Sequence, residues 1–439
     1  MYRSLSARQP KIVKVHDRVY SALDYAISNV LFVITDESVV VIDTTESVRS
    51  ARAALSEFRK ICSLPISHII YTHFHGDHIR GAKAFHNPEA TVISQEGLPS
   101  ELEQMRRLLP FRKLADGLQF GLSLEIKDRG ISLAGHIVDG YVPPDITFGE
   151  DYRFEYGGVV FELYHTVGET HDHLMVWLPH QGILFPGDLF YSSFPMLNNP
   201  MKPERPILAW ADSLNRMHAL RPKFLVPSHS QPREGADHIH SVLTNYERAI
   251  RYVHDETVRR INRGFSLEEI RDQLRLPDDL ARLSYLHQGY GTIRWAVNGI
   301  YRHYTGWYDL NPVTLKPAPR YARDRALVEV SGGATSLIKR ARRALNAGHP
   351  QLALELVDVV LNAQPGNKSA HALWTEALEQ LGASTRNGVE RNIYLAAARK
   401  PLAWPRRRKP ALARSAANFG HRNAGLAASP PQKQESAGQ

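Results

Sequence analysis

Between about residues 10 and 235, short apolar runs alternate with segments of helical spacing and with Gly/Pro turns. NVLFVITD (29–36) and SVVVIDT (38–44) read as two strands joined by a tight turn, and SHIIYTH (67–73) as a third. TVIS (91–94), VVFELYH (159–165), LMVWLP (174–179), GILFPGD (182–188) and FLVPSH (224–229) continue the series. Runs of Val, Ile and Phe this continuous predict strands covered on both faces, because a half-exposed strand alternates apolar with polar. SVRSARAALSEFRKIC (47–62) has the spacing of a helix that covers such a sheet.

From 236 the strand pattern stops. ADHIHSVLTNYERAIRYVHDETVRRINRG (236–264) predicts one long amphipathic helix ended by Gly264, and SLEEIRDQL (266–274) opens with Ser266 and Glu269 at capping-box spacing. The aromatic stretch YGTIRWAVNGIYRHYTGWYDLNP (290–312) follows, its Tyr301, Tyr304, Trp307 and Tyr308 expected in core or a dimer interface. In 332–398, Ala and Leu recur as in tetratricopeptide-like helical pairs, with AGHPQLALEL and NAQPGNKSAHALW as the repeat signature. One such pair cannot bury both of its faces alone and must pack on another domain or subunit. The pattern divides the chain into 10–235, 236–398 and a tail, 399–439.

Composition changes the picture in three places. The net charge of +9 invites a nucleic-acid reading, but residues 401–439 hold seven basic side chains against one acidic. The excess therefore sits in an Ala/Pro/Gln/Ser-rich tail expected to be disordered, and nucleic acid is not an expected partner. A lone cysteine, Cys62, excludes an internal disulfide and a thiolate-rich zinc site, so any metal must sit on nitrogen and oxygen. No run of about 18 uncharged apolar residues occurs, and the N-terminus has no stretch typical of a signal peptide, so a cytoplasmic protein without a membrane span is expected.

The densest chemistry is THFHGDH (72–78), directly after a predicted strand. His73 and His75 are two apart, so an extended backbone turns both imidazoles to one side. Gly76 permits a sharp turn that brings Asp77 and His78 to a second position. Three imidazoles and a carboxylate suit zinc, and ligands split two and two can nucleate a pair of metals about 3.5–4 Å apart.

This motif resembles that of the metallo-β-lactamase superfamily. The resemblance implies an α/β fold, a four-layer αββα sandwich, followed here by an all-α dimerisation region with tetratricopeptide-like helices. It also implies further ligands in order. Asp43 stands where the family keeps an acidic residue that braces the metal loop. TVGETHDH (166–173) resembles the T-x-G-H-T loop, with Glu169 in the histidine position and His173 as a rival four residues on. Asp188 falls at the bridging carboxylate and His229 at the last imidazole. The implied set is His73, His75 and Glu169 (or His173) on one metal, Asp77, His78 and His229 on the other, and Asp188 between them. Two divalent ions, expected to be zinc, would be the cofactors.

Glu169, 19 residues before Asp188, resembles the alkyl sulfatase branch, and 236–398 looks like that branch's dimerisation region, with GW-aromatic-D-x-NP and an RN-x-YL ending. A homodimer that hydrolyses an alkyl sulfate through a metal-bridging hydroxide is the implied reading, with Asp77 and Asp188 at the catalytic centre. After Asp188, Asn198, Asn199, Lys202 and Arg205 are candidates to contact the sulfate, and Tyr191 is a candidate proton or hydrogen-bond donor. The loop LFYSSFPMLNNPMKPERP (189–206) departs from the sulfatase pattern, and the sterol-carrier-like domain of secreted sulfatases is not among these residues. A lactone, thioester or other carboxylic ester is therefore the alternative small-molecule substrate. The second alternative is a metal-stabilised scaffold without catalysis.

Overall fold

A computed structural model describes residues 9–124 and 140–399. The tail expected from 399 onward lies, apart from Arg399, outside the described residues.

Two sheets carry the fold. The first has seven strands in chain order: β1 (Lys11–His16), β2 (Val19–Leu23), β3 (Val30–Ile34), β4 (Val39–Ile42), β5 (Ile66–Ile70), β6 (Thr91–Gln95) and β7 (Ile146–Phe148). β1 to β4 pair antiparallel, and β4 to β7 pair parallel. The second sheet has six: β8 (Asp151–Tyr156), β9 (Val159–His165), β10 (Leu174–Leu178), β11 (Ile183–Phe185), β12 (Phe224–Leu225) and β13 (Arg233–Glu234). Only β11 and β12 pair parallel there.

Alternation along each strand sorts side chains into two cores. Leu31, Val33, Val40 and Ile42 meet Phe161, Leu163, Val176 and Phe185 between the sheets. Val30, Phe32, Val39 and Val41 point the other way, onto Ala51, Ala54 and Phe58 of the helix Val48–Phe58. Phe32 and Phe58 stack with centroids 3.9 Å apart. Across the second sheet, Met175, Trp177 and Leu184 share a core with Trp210, Val242, Leu243, Tyr246, Val297 and Ile300. The order is therefore helix, sheet, sheet, helix, and the outer helical layer draws on both sides of residue 235. The central strands are covered on both faces, as their continuous apolar runs require, whereas β1 and β8 keep exposed positions.

The helix Ala236–Asn262 stops where Gly264 takes φ +80°, and Ser266 and Glu269 close a capping box on the next helix. Beyond residue 320, the helices Arg320–Val330, Ala334–Asn346, Pro350–Ala363 and Lys368–Ser384 pack in sequence around Leu337, Ala341, Val357, Leu373 and Ala377. The last, Gly388–Arg399, turns back onto the helix Leu109–Gln119, where Asn392 Nδ2 donates to the Gln119 carbonyl at 2.8 Å. Among the described residues no helix is long and apolar enough to cross a membrane.

Candidate metal centre

Five loops converge at one edge of the two sheets, following β4, β5, β9, β11 and β12. Asp43, at the end of β4, is fully buried and takes φ +57°, a left-handed conformation that Asp tolerates better than most residues. Its carboxylate accepts from Thr72 N at 2.9 Å, Thr72 Oγ1 at 3.0 Å, His78 Nδ1 at 2.7 Å and Ser228 Oγ at 2.7 Å. The bond from His78 Nδ1 orients the ring and leaves Nε2 to face the pocket.

Around that nitrogen the predicted donors gather. His78 Nε2 lies 3.6 Å from Asp77 Oδ2, 3.6 Å from Asp188 Oδ2 and 3.4 Å from His229 Nε2. His229 Nε2 sits 3.3 Å from Asp77 Oδ2 and 3.2 Å from Asp188 Oδ2, its ring held by Nδ1 donating to the Ile27 carbonyl at 2.9 Å. On the other side, His73 Nε2 and His75 Nδ1 are 2.9 Å apart, His75 Nδ1 is 3.5 Å from Glu169 Oε1, and His73 Nε2 is 4.0 Å from Asp188 Oδ2. Asp188 thus lies between an Asp77/His78/His229 group and a His73/His75/Glu169 group. Donor atoms of His73, His78 and Asp188, and of Asp77, His78 and His229, fall within 4.8 Å of one another.

Whether these residues fit divalent ions is answered by their unmet valences. Glu169 Oε2 and Asp188 Oδ1 are buried with no hydrogen-bond partner among the described residues. Imidazole nitrogens face each other across 2.9 and 3.4 Å, a contact that a shared cation between them resolves. Burial and neighbouring cations, His78 first for His73 and Lys202 first for His75, hold both of those imidazoles well below the usual range, keeping their lone pairs free. Burial also opposes charge on His78 and His229, yet the carboxylates beside them win and raise both well above it. The same attraction overcomes burial for Asp77 and Asp188 and holds them below the carboxylate range. The pocket selects positive charge, and its nitrogen and oxygen donors fit borderline divalent ions.

The structure separates the two candidates in the 166–173 loop. Glu169 faces His75, as given above. His173 is turned differently: its Nε2 accepts the Asp188 backbone N–H at 3.0 Å, and its Nδ1 lies 3.1 Å from Thr166 Oγ1. Neither nitrogen is left for a metal. His173 instead shapes the turn in which Gly187 takes φ +53°, where a Cβ would come within 2.6 Å of that same Nε2.

The substrate-side candidates are also placed. Arg205 Nη2 donates to Glu169 Oε1 at 2.6 Å and Nη1 to the Met196 carbonyl at 2.6 Å, so the guanidinium serves the ligand loop, not the sulfate expected from its position. Asn198 Nδ2 is spent on the Trp295 carbonyl at 3.1 Å, and Asn199 bridges Gln119 Oε1 and Met201 N. Tyr191 is buried, with its hydroxyl accepting from Met196 N at 2.7 Å. Lys202, by contrast, has no side-chain partner among the described residues and is close enough to His75 to lower its basicity. Tyr290 and Gln119, not singled out from the sequence, also reach this edge.

The metallo-β-lactamase superfamily profile matches residues 23–229, and the alkyl sulfatase dimerisation profile matches 266–402. A linear primary-alkylsulfatase of a Pseudomonas species is 32% identical over 381 residues, spanning 82% of this chain and 72% of that protein. An (R)-specific secondary-alkylsulfatase of a Pseudomonas species is 27% identical, covering 88% of this chain but 62% of its own length. Among solved structures, the stereoselective inverting sec-alkylsulfatase from a Pseudomonas species superposes with a TM-score of 0.83 at 25% identity, over 89% of this chain and 65% of that one. The chain therefore spans less than two thirds of the secondary alkylsulfatases it matches.

Removing the Asp43 carboxylate frees His78 to rotate and strands several buried donors. Asp43→Ala is expected to weaken metal affinity roughly 10–100-fold, measured by chelator competition. Unchanged affinity would show that the ring is held some other way. A second prediction concerns Asp172, buried with both carboxylate oxygens unpaired among the described residues. Burial pushes its pKa from 3.8 up to about 7. The folded chain therefore binds this proton where the unfolded chain has released it, and the stability supplied is present below pH 3.8 and lost as pH rises through about 7. Asp172→Asn is expected to raise the melting temperature above wild type at pH 8 and to show a smaller gap at pH 5. An equal gap at both would remove the assignment.

Proposed function

The chain belongs to the metallo-β-lactamase superfamily, in the branch that carries an alkyl sulfatase dimerisation region, and from that premise we propose that it hydrolyses alkyl sulfate esters with two zinc ions. The balance is ROSO₃⁻ + H₂O → ROH + HSO₄⁻. The observation that carries the reading is the convergence of His73, His75, Glu169, Asp77, His78, His229 and Asp188 in one pocket, in a chain whose two regions both match alkylsulfatases.

In this reading those seven side chains hold the ions. When bound, two divalent ions supply Lewis acidity and make water a nucleophile near neutral pH. The protein's own groups do the rest. Arg205 offsets the charge of Glu169 and fixes its carboxylate. Lys202, without a competing partner among the described residues, is placed to meet the anionic sulfate oxygens beside His75. His173 and Asp43 keep Asp188 and His78 aimed.

The homodimer is part of the same proposal. Trp307, Leu310 and Val313 are 73, 78 and 74% exposed within one short segment, an apolar surface that a second copy of this chain would cover.

The deciding experiment measures metal content by elemental analysis alongside sulfate release from decyl sulfate. About two zinc per chain with sulfate release, lost in Asp188→Ala of unchanged circular dichroism, is expected. Two metals without sulfate release would shift the substrate to a lactone or thioester. Metal below one per chain after reconstitution would end the dinuclear reading. For the dimer, light scattering is expected to give twice the chain mass for wild type and a monomer for Trp307→Asp/Leu310→Asp. A double variant that still dimerises would place the interface elsewhere.

A further inference from the structure

A hydrogen-bond relay at the edge of the centre has a fixed direction. The Met201 backbone N–H can only donate, and it reaches Asn199 Oδ1 at 2.8 Å. That orients the Asn199 amide, so Nδ2 is the group that donates to Gln119 Oε1 at 3.0 Å. Gln119 is oriented in turn, and its Nε2 donates to the Tyr290 hydroxyl oxygen at 3.3 Å. The phenol therefore accepts from Gln119, and its own proton must point elsewhere. No acceptor for that proton occurs among the described residues.

Tyr290 is also held firmly. Its backbone N donates to Ser193 Oγ at 3.2 Å, and its carbonyl accepts from Asn387 Nδ2 at 2.8 Å. Its ring meets Tyr191 edge-on at 5.6 Å, and Tyr191 meets His229 edge-on at 6.5 Å. Tyr191 is enclosed, whereas Tyr290 beside it is only partly buried. Burial raises its pKa well above the phenol range, and Glu169, Asp77 and Asp188 add to the effect against Arg205, so it stays neutral. A neutral phenol with its oxygen already engaged and its proton unassigned is a preorganised donor.

We propose that Tyr290 is a catalytic residue whose O–H donates a hydrogen bond to the bridging ester oxygen of the bound alkyl sulfate, with Gln119 as the positioning residue. The inference rests on the sulfatase reading above. The bridging oxygen keeps the electron pair of the bond that breaks, whether that bond runs to sulfur or to carbon. The phenol keeps its proton and stabilises the charge that develops there. The elements of water complete the alcohol and hydrogensulfate.

Decane-1-sulfonate separates this role from others, because it has the chain and the anionic head but no bridging oxygen. For Tyr290→Phe, kcat on decyl sulfate is expected to fall about 100-fold, as when one preorganised donor is removed, with inhibition by decane-1-sulfonate and metal content unchanged. Gln119→Met, which loosens the phenol without touching substrate, is expected to lower kcat about tenfold, the equivalent of one hydrogen bond, with sulfonate inhibition again unchanged. A Tyr290→Phe rate equal to wild type overturns the proposal. So does sulfonate inhibition that weakens in step with kcat/KM, since that places the hydroxyl on the head group or in folding. Wild type that releases no sulfate removes the sulfatase reading and this inference with it, a result distinct from active wild type and unaffected variant.

Discussion

Everything at the metal edge depends on where one buried carboxylate sits. Asp43 ends β4 in a left-handed conformation, and that turn aims its side chain across the ends of three neighbouring segments. Thr72 precedes His73, Ser228 precedes His229, and Thr72, His78 and Ser228 all donate to it. The backbone repeats the tie, since Asp43 N donates to the Ile70 carbonyl and Thr44 N to the His78 carbonyl. The parallel pairing of β4 with β5 makes this geometry available. A fully desolvated carboxylate is tolerable only with its acceptor capacity filled, so Asp43 and the ligand loops specify each other.

The second constraint is charge. Asp77, Glu169 and Asp188 bring three carboxylates into one pocket, and burial penalises each. Part of the compensation is internal, because Arg205 is buried against Glu169. Breaking such a pair strands a buried charge, which costs far more than a surface ion pair is worth. Arg205 offsets the Glu169 charge, and in the proposed reading Lys202 is left over to meet an anionic substrate while the donor set would hold two ions. A negative donor set alone would repel an alkyl sulfate.

Much of this was legible in the sequence, and the rest failed for identifiable reasons. The strands in the middle of each sheet announced themselves as unbroken apolar runs, since both of their faces are covered. β1, β2, β7, β8 and β13 were missed. In β1 and β8 the partly exposed positions admit Lys11, Lys14, Asp151, Arg153 and Glu155, so each run looks mixed. THFHGDH was legible because its ligands lie within seven residues. Glu169 and His173 were not separable, because four residues of loop do not say which side chain faces His75 and which one props the Asp188 turn. Arg205 misled for a different reason. Its partner lies 36 residues away, and no local spacing reveals a pairing that only the fold creates. Tyr290 heads an aromatic stretch in which only Tyr301, Tyr304, Trp307 and Tyr308 carried an expectation, and its hydrogen bond depends on amide orientations set by Met201, Asn199 and Gln119.

The helical region then has two jobs that sequence alone would assign to one. Its exposed Trp307 segment suits association, but its other contacts run to the site. Trp295 anchors Asn198 through its carbonyl, and Gly299 leaves room for that side chain, where a Cβ would come within 2.9 Å. Asn387 holds the backbone of Tyr290, and Asn392 holds the backbone of Gln119. Asn392 is the asparagine of the RN-x-YL ending of the dimerisation resemblance, and Asn387 lies just before that ending. Asn387 immediately precedes the helix Gly388–Arg399 and Asn392 lies in its first part, on the segment that packs against the helix Leu109–Gln119. The segment that closes the helical region thus fixes both members of the Tyr290–Gln119 pair at once. A change in how these helices pack would move Tyr290 and Gln119 while leaving the His/Asp cluster that Asp43 braces in place. In the proposed reading, substrate contact and metal binding would thus be held by different parts of the chain.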